Sequence, residues 1–297
     1  MMKLKIRNNL PRTWRTSEVI VTLSRKSTNS LTSEEDFPFS ERNMESPLAN
    51  KSFAYIDQLI FDGFWEEAAS LVRDHAKYAM KFRRAYQPFF STFGDSKVLP
   101  IHLACANPTV TVDFIKTLLF ANPNSIYEKE SCNGRLCLHI ALQSGLQDKV
   151  IFYLVNKYSG ALMQKDCMGR LPVHFAISNH HSVALISDFL SRFPRTVLAT
   201  DDLGWGPLHT AIVQCSPISI IELILSQSLE VITVTTLLGR TPMQLAMHST
   251  NKNREAVITR LSEAERSLYE YPVIVNFREA ESKEKDIGNT MGDTVFA

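Results

Sequence analysis

The chain has 297 residues, 44% of them hydrophobic and 21% charged, enough to bury a sizeable core without disulfide or metal staples. Its 32 basic and 31 acidic side chains leave a net charge of +1, which offers no global attraction to nucleic acid or an anionic membrane. Five cysteines without a C-x-x-C pair or a histidine at zinc spacing read as reduced thiols of the cytosol or nucleus, and the longest apolar stretches fall far short of the roughly 20 residues of a membrane span.

Residues 1–50 read as a tail without a packed core, basic at first and then rich in Ser and Glu. Lys3, Lys5, Arg7, Arg12, Arg15, Arg25 and Lys26 are opposed only by Glu18 over the first 26 residues, with no continuous apolar core as in a secretory signal. Two readings stay open for this start: an organelle transit peptide, or a disordered basic tail. Residues 51–93 read as an N-terminal helical cap. Phe53, Ile56, Leu59 and Ile60 form one helical stripe, Gly63 breaks it, and Trp65, Ala68, Ala69, Leu71, Val72 and Ala76 form a second.

From residue 94 the chain repeats itself. Gly134-Arg-Leu-Cys-Leu-His-Ile-Ala141 recurs as Gly169-Arg-Leu-Pro-Val-His-Phe-Ala176, Gly204-Trp-Gly-Pro-Leu-His-Thr-Ala211 and Gly239-Arg-Thr-Pro-Met-Gln-Leu-Ala246, at constant intervals of 35 residues. An earlier copy, Val98-Leu-Pro-Ile-His-Leu-Ala104, has lost the glycine. Proline at 100, 172, 207 and 242 suits the first turn of a helix, where its missing N–H has no partner to lose. Val183, Ile186, Phe189 and Leu190 then mark a second amphipathic helix. Two such short helices cannot bury their stripes alone, so successive copies must stack.

After the fifth copy, residues 251–277 read as a C-terminal helical cap carried by Val257, Ile258, Leu261, Ala264 and Leu268, and residues 278–297 as a polar disordered tail.

The recurring string resembles the Gly-x-Thr-Pro-Leu-His-x-Ala signature of the ankyrin repeat family, over about residues 97–250 of the 94–250 segment. The resemblance implies an all-α solenoid of about five stacked helix-turn-helix units joined by β-turn fingers. The 35-residue period departs from the family's 33, and the extra residues are placed in the connection after the second helix, where insertions cost little loop entropy. Arrays of this family recognise partners with their finger tips and first helices, and the register puts the binding positions at Arg135, Met168, Arg170, Asp202, Leu203, Trp205, Leu238 and Arg240. Trp205 between Arg170 and Arg240, with Met168, Leu203 and Leu238 around it, has the composition of a binding hot spot. The implied role is a non-catalytic scaffold or adaptor for a protein partner, monomeric, cytoplasmic or nuclear, with no cofactor. The alternative is a nucleic-acid or chromatin-associated ankyrin protein using the basic and aromatic segment 77–93, where Lys77, Lys81 and Arg84 share a helical face ahead of Phe89, Phe90 and Phe93.

Other constellations read as structural. The ladder His102, His139, His174 and His209 cannot share a metal, because successive repeats lie about 8–10 Å apart and zinc needs its ligands within about 2.1 Å; the resemblance implies that these rings hydrogen-bond turn backbone. His180-His181 reads as a surface pair at an inter-helix turn. Cys167 and His174 lack the oxyanion arrangement of a thiol catalyst, and Gly204-Trp-Gly206 lacks the rest of a phosphate loop.

Overall fold

In the computed structural model the chain is described at residues 47–80, 83–85, 96–249 and 252–270. The larger unit begins at Tyr55; of the preceding unit, Met1–Ala54, only the helical backbone of residues 47–54 is described.

Helix α1 (Pro47–Asp62) buries Ile56, Leu59 and Ile60 of the stripe its sequence spacing implies, and the Phe53 side chain lies outside the described residues. Gly63, at φ +81°, turns the chain into α2 (Trp65–Asp74), which buries Ala68, Ala69 and Val72. A 3₁₀ turn at Ala76–Ala79 leads to a short antiparallel pair, β1 (Arg83–Ala85) with β2 (Ser96–Val98), in the register Arg83 opposite Val98. Three-residue strands carry too little alternation for the sequence to announce them.

The repeats follow as inner and outer helices in turn. They are α3 (Pro100–Ala106) with α4 (Val112–Ala121), α5 (Cys137–Gln143) with α6 (Asp148–Lys157), and α7 (Pro172–Ser178) with α8 (Val183–Arg192). Then come α9 (Pro207–Val213) with α10 (Ile218–Gln227), and α11 (Pro242–Met247) with α12 (Arg254–Glu270). Pro100, Pro172, Pro207 and Pro242 each open an inner helix, as a residue without an N–H can. Ala104, Ala141, Ala176, Ala211 and Ala246 are all fully buried, where a larger side chain would hold the stacked helices apart.

Each of the first four outer helices ends in a 3₁₀ turn, at Pro123–Ile126, Ser159–Met163, Pro194–Leu198 and Leu229–Ile232. The turns bury apolar anchors, Ile126, Leu162, Val197 and Val231, so the connection joins the core instead of looping into solvent.

The signature histidines tie one repeat to the next. His102, His139, His174 and His209 accept, at Nδ1, the backbone N–H of Leu99, Leu136, Leu171 and Gly206 at 3.0, 3.2, 3.1 and 3.2 Å, which closes the helix N-terminus. An accepting Nδ1 puts the ring proton of a neutral imidazole on Nε2. That nitrogen donates into the following finger, from His102 to Glu128 O, His139 to Gln164 O and His174 to Trp205 O at 3.0, 3.0 and 3.1 Å. In repeat five Gln244 takes the first role, accepting from Thr241 N at 3.1 Å through Oε1.

Candidate protein-binding face

Between an outer helix and the next inner helix the chain makes a tight finger, and each finger is built on one oxygen-bearing side chain. Glu130 accepts the N–H groups of Cys132 and Asn133, both at 2.7 Å, and of Arg135 at 3.2 Å. Asp166 accepts those of Met168 and Arg170 at 2.9 and 3.0 Å, and Asp201 those of Leu203 and Trp205 at 2.9 and 2.8 Å. In the last finger the acid is replaced by Thr236, whose hydroxyl accepts only from Arg240 N, at 3.2 Å. Adjacent fingers are joined by one backbone bond each: Ser131 N to Lys97 O in β2, Cys167 N to Asn133 O, Asp202 N to Met168 O and Leu237 N to Leu203 O.

The residues after the turn glycines do not form one exposed row. Arg170 folds back onto its own finger, giving Asp166 Oδ2 two bonds, from Nε at 2.9 Å and Nη2 at 2.6 Å. Arg135 reaches the same oxygen at 3.5 Å and donates to Gln143 Oε1 at 2.6 Å. Both guanidinium groups lie over the Phe175 ring, at 4.7 Å for Arg170 and 5.3 Å for Arg135, and the His139 ring meets Phe175 edge-on. Arg135 and Arg170 are therefore buried structural cations and are not presented to a partner. The expectations that Arg135 lies on the binding face and that Arg170 flanks Trp205 there are corrected: the Asp166 carboxylate and the Phe175 ring draw both arginines inward. Asp166 and Phe175 were the sequence signal for this.

Burial works to raise the Asp166 carboxyl, but the hydrogen bonds and charge of Arg170 outweigh it and hold the group below its ordinary value. Asp201, with Trp205 in place of its own arginine, is raised by burial.

The other predicted residues divide by position. Met168 and Trp205 are half-buried; the Trp205 indole lies 6.2 Å from the His209 ring, and its backbone completes the finger. Asp202, Leu203, Leu238 and Arg240 are exposed, and Leu237 joins them. The exposed residues thus collect on the fourth and fifth fingers.

Two further expectations are settled by geometry. His181 is buried, unlike His180: it occupies the position held by Val110 and Leu146 in earlier repeats, with Nε2 2.9 Å from Leu142 O and Nδ1 3.4 Å from Asp148 Oδ1. His174 has both ring nitrogens committed to backbone, so it is not a base for Cys167, whose thiol burial pushes up. Among the described residues there is no group of three or more His, Cys, Asp or Glu placed to hold a metal, and no helix long and apolar enough to cross a membrane. Of the basic and aromatic segment, Tyr78 is buried with Lys77 Nζ 5.5 Å from its ring centre, whereas Lys81, Phe89, Phe90 and Phe93 lie outside the described residues.

Residues 101–188 match the family model for ankyrin repeats, in three copies. The chain contains ankyrin repeats. The ankyrin repeat domain of Bcl-3, described as a unique member of the IkappaB protein family, shares the fold with a TM-score of 0.53 and 16% identity, over 70% of this chain and 85% of that one. No curated protein matches the chain. The family model thus covers residues 101–188, and the likeness to that domain shows the fold.

Proposed function

We propose that the ankyrin array is a non-catalytic adaptor that binds a protein partner through the tips of its fourth and fifth fingers. One observation carries this reading: Leu203, Leu237 and Leu238 are 49%, 73% and 84% exposed on consecutive fingers, beside the half-buried Trp205. Large apolar side chains grouped on a turn cost solubility unless something covers them, and apolar area around a tryptophan suits a binding hot spot. Asp202 and Arg240 supply charge of both signs at the rim, where charge selects partners and sets register. The ankyrin fold supports a protein partner as a class. All five cysteines are free thiols, which supports a reducing compartment, the cytoplasm or nucleus.

The experiment is affinity capture from cell extract by the full chain and by its Leu203→Asp variant, with bound polypeptides identified by mass spectrometry. A polypeptide retained by the wild type and lost by an equally folded variant is the expected result. An unchanged set of captured proteins would sink the reading.

A further inference from the structure

The fifth finger ends a ladder that every earlier rung continues. At a complete joint the following finger contributes four things. Its N–H reaches a carbonyl of the finger before it, its backbone crosses the turn glycine, one of its carbonyls receives a side-chain N–H from the preceding inner helix, and its acid faces the preceding arginine.

The repeat-two and repeat-three joint shows all four: Cys167 N on Asn133 O, Cys167 over Gly134, His139 Nε2 on Gln164 O, and Asp166 3.5 Å from Arg135. A methyl group placed on Gly134, Gly169 or Gly204 would lie 3.5, 2.9 or 2.8 Å from the N atom of Cys167, Asp202 or Leu237. On Gly239 it would meet nothing within 4 Å.

The matching groups on the last finger stand unengaged among the described residues. Leu238 O corresponds to Asn133 O, Met168 O and Leu203 O, and accepts no bond. Arg240 is exposed with no ion pair, although it occupies the arginine position. Gln244 Oε1 does the work of the histidine Nδ1, which leaves its amide N–H₂ where histidine Nε2 donates in the earlier repeats.

We propose that this end of the array is a socket for one more finger supplied in trans: an extended segment of a protein partner. In that segment an acidic residue immediately precedes the residue whose N–H meets Leu238 O. The order follows the first three joints, where Glu130 precedes the donor Ser131, Asp166 the donor Cys167 and Asp201 the donor Asp202, while at the fourth Thr236 precedes the donor Leu237. The segment adds as a strand adds to an open sheet edge, its backbone held by Leu238 and Gln244, its carboxylate facing Arg240 and its apolar side chains covering Leu237 and Leu238. The proposal rests on the reading of the fingers as a protein-binding face and names the chemistry of what binds there.

The test is nuclear magnetic resonance titration of the full chain with a synthetic peptide copying Gln164–Arg170 of the third finger, serine replacing the cysteine. Saturable shifts at Leu238, Gly239 and Arg240 are expected. Gly239→Asn, which tolerates the φ of +70° but fills the crossing point, should abolish them with the fold unchanged. Arg240→Ala should weaken binding by about threefold, the effect of losing one exposed ion pair. Absence of shifts at these residues, or equal binding by Gly239→Asn, overturns the proposal. So do concentration-dependent shifts at the same residues without peptide, which would assign the socket to a second copy. Leu203→Asp separates the two readings: if it removes partner capture while the peptide shifts nothing, the finger face stands and the socket falls.

Discussion

Arg170 Nη2 lies 2.6 Å from Asp166 Oδ2, and the two side chains are 4% and 0% exposed, so the third finger is locked by an ion pair that solvent does not screen. Removing one member of a buried pair leaves an uncompensated charge and costs about 3 kcal/mol or more. Arg170→Ala should lower the unfolding free energy by that amount in urea titration. A loss below about 1 kcal/mol would place the pair with solvent-screened surface bridges.

The histidine ladder sets the pH dependence. Burial lowers His102 to about 4, His139 to about 3 and His174 to about 4, against 6.5 when exposed. Between these limits the unfolded chain takes up protons that the folded chain refuses, so stability is full above pH 6.5 and is lost as pH falls toward 4. Each buried ring contributes at most ~1.4 kcal/mol per pH unit to that slope. The Asp166 carboxyl, held below its ordinary 3.8, adds a further loss only below that pH, as the folded pKa is approached. Urea midpoints measured from pH 8 to pH 4 should be flat at first and then fall. A flat profile throughout would show that the rings protonate without unfolding.

His180 and Cys215 stand at φ 55°, at the inter-helix position that Gly145 fills in repeat two at φ 68°. Left-handed backbone costs a side-chain-bearing residue about 1 kcal/mol relative to glycine. His180→Gly and Cys215→Gly should each raise the melting temperature, with helicity unchanged. Destabilisation would mean that the side chain contributes more than its strain.

The register of the array was legible in the sequence because its markers are backbone requirements: a glycine for the turn, a proline for the helix start, an alanine where helices touch. The burial of Arg135 and Arg170 was not legible from position. Counting from the glycine places them outward, and only the pairing of Asp166 with Phe175 turns them in. His181 escaped for a related reason, since a polar residue at an apolar position is stable only through partners, Leu142 and Asp148, that lie over 30 residues away. Leu203, Leu238 and Arg240 are exposed, as counting from the turn glycine implies.

Ala176 is fully buried in the third inner helix between two neighbouring repeats. Ala176→Asp would place an unpaired carboxylate there, and no partner cation is free to follow it, since Arg170 is held by Asp166. Stability in a stacked array is shared through interfaces, so the loss should spread to repeats two and four. Circular dichroism should show major helix loss at 25 °C. Wild-type helicity would place this residue outside the stack.

The binding face can be tested separately from stability. Leu238 is 84% exposed, and a substitution at such a site changes folding free energy by only about 0.5 kcal/mol. Leu238→Asp should therefore melt with the wild type. If the fourth and fifth fingers hold the partner, the same change buries a carboxylate against apolar surface and should weaken capture by at least about tenfold. Trp205→Ala is a poorer probe, since the half-buried indole contributes to the finger and its loss lowers both stability and binding. The decisive comparison is binding per folded molecule: lost in Leu238→Asp and kept in His180→Gly, which alters a turn outside the fingers. Equal binding by all three proteins would move the partner to another surface of the array.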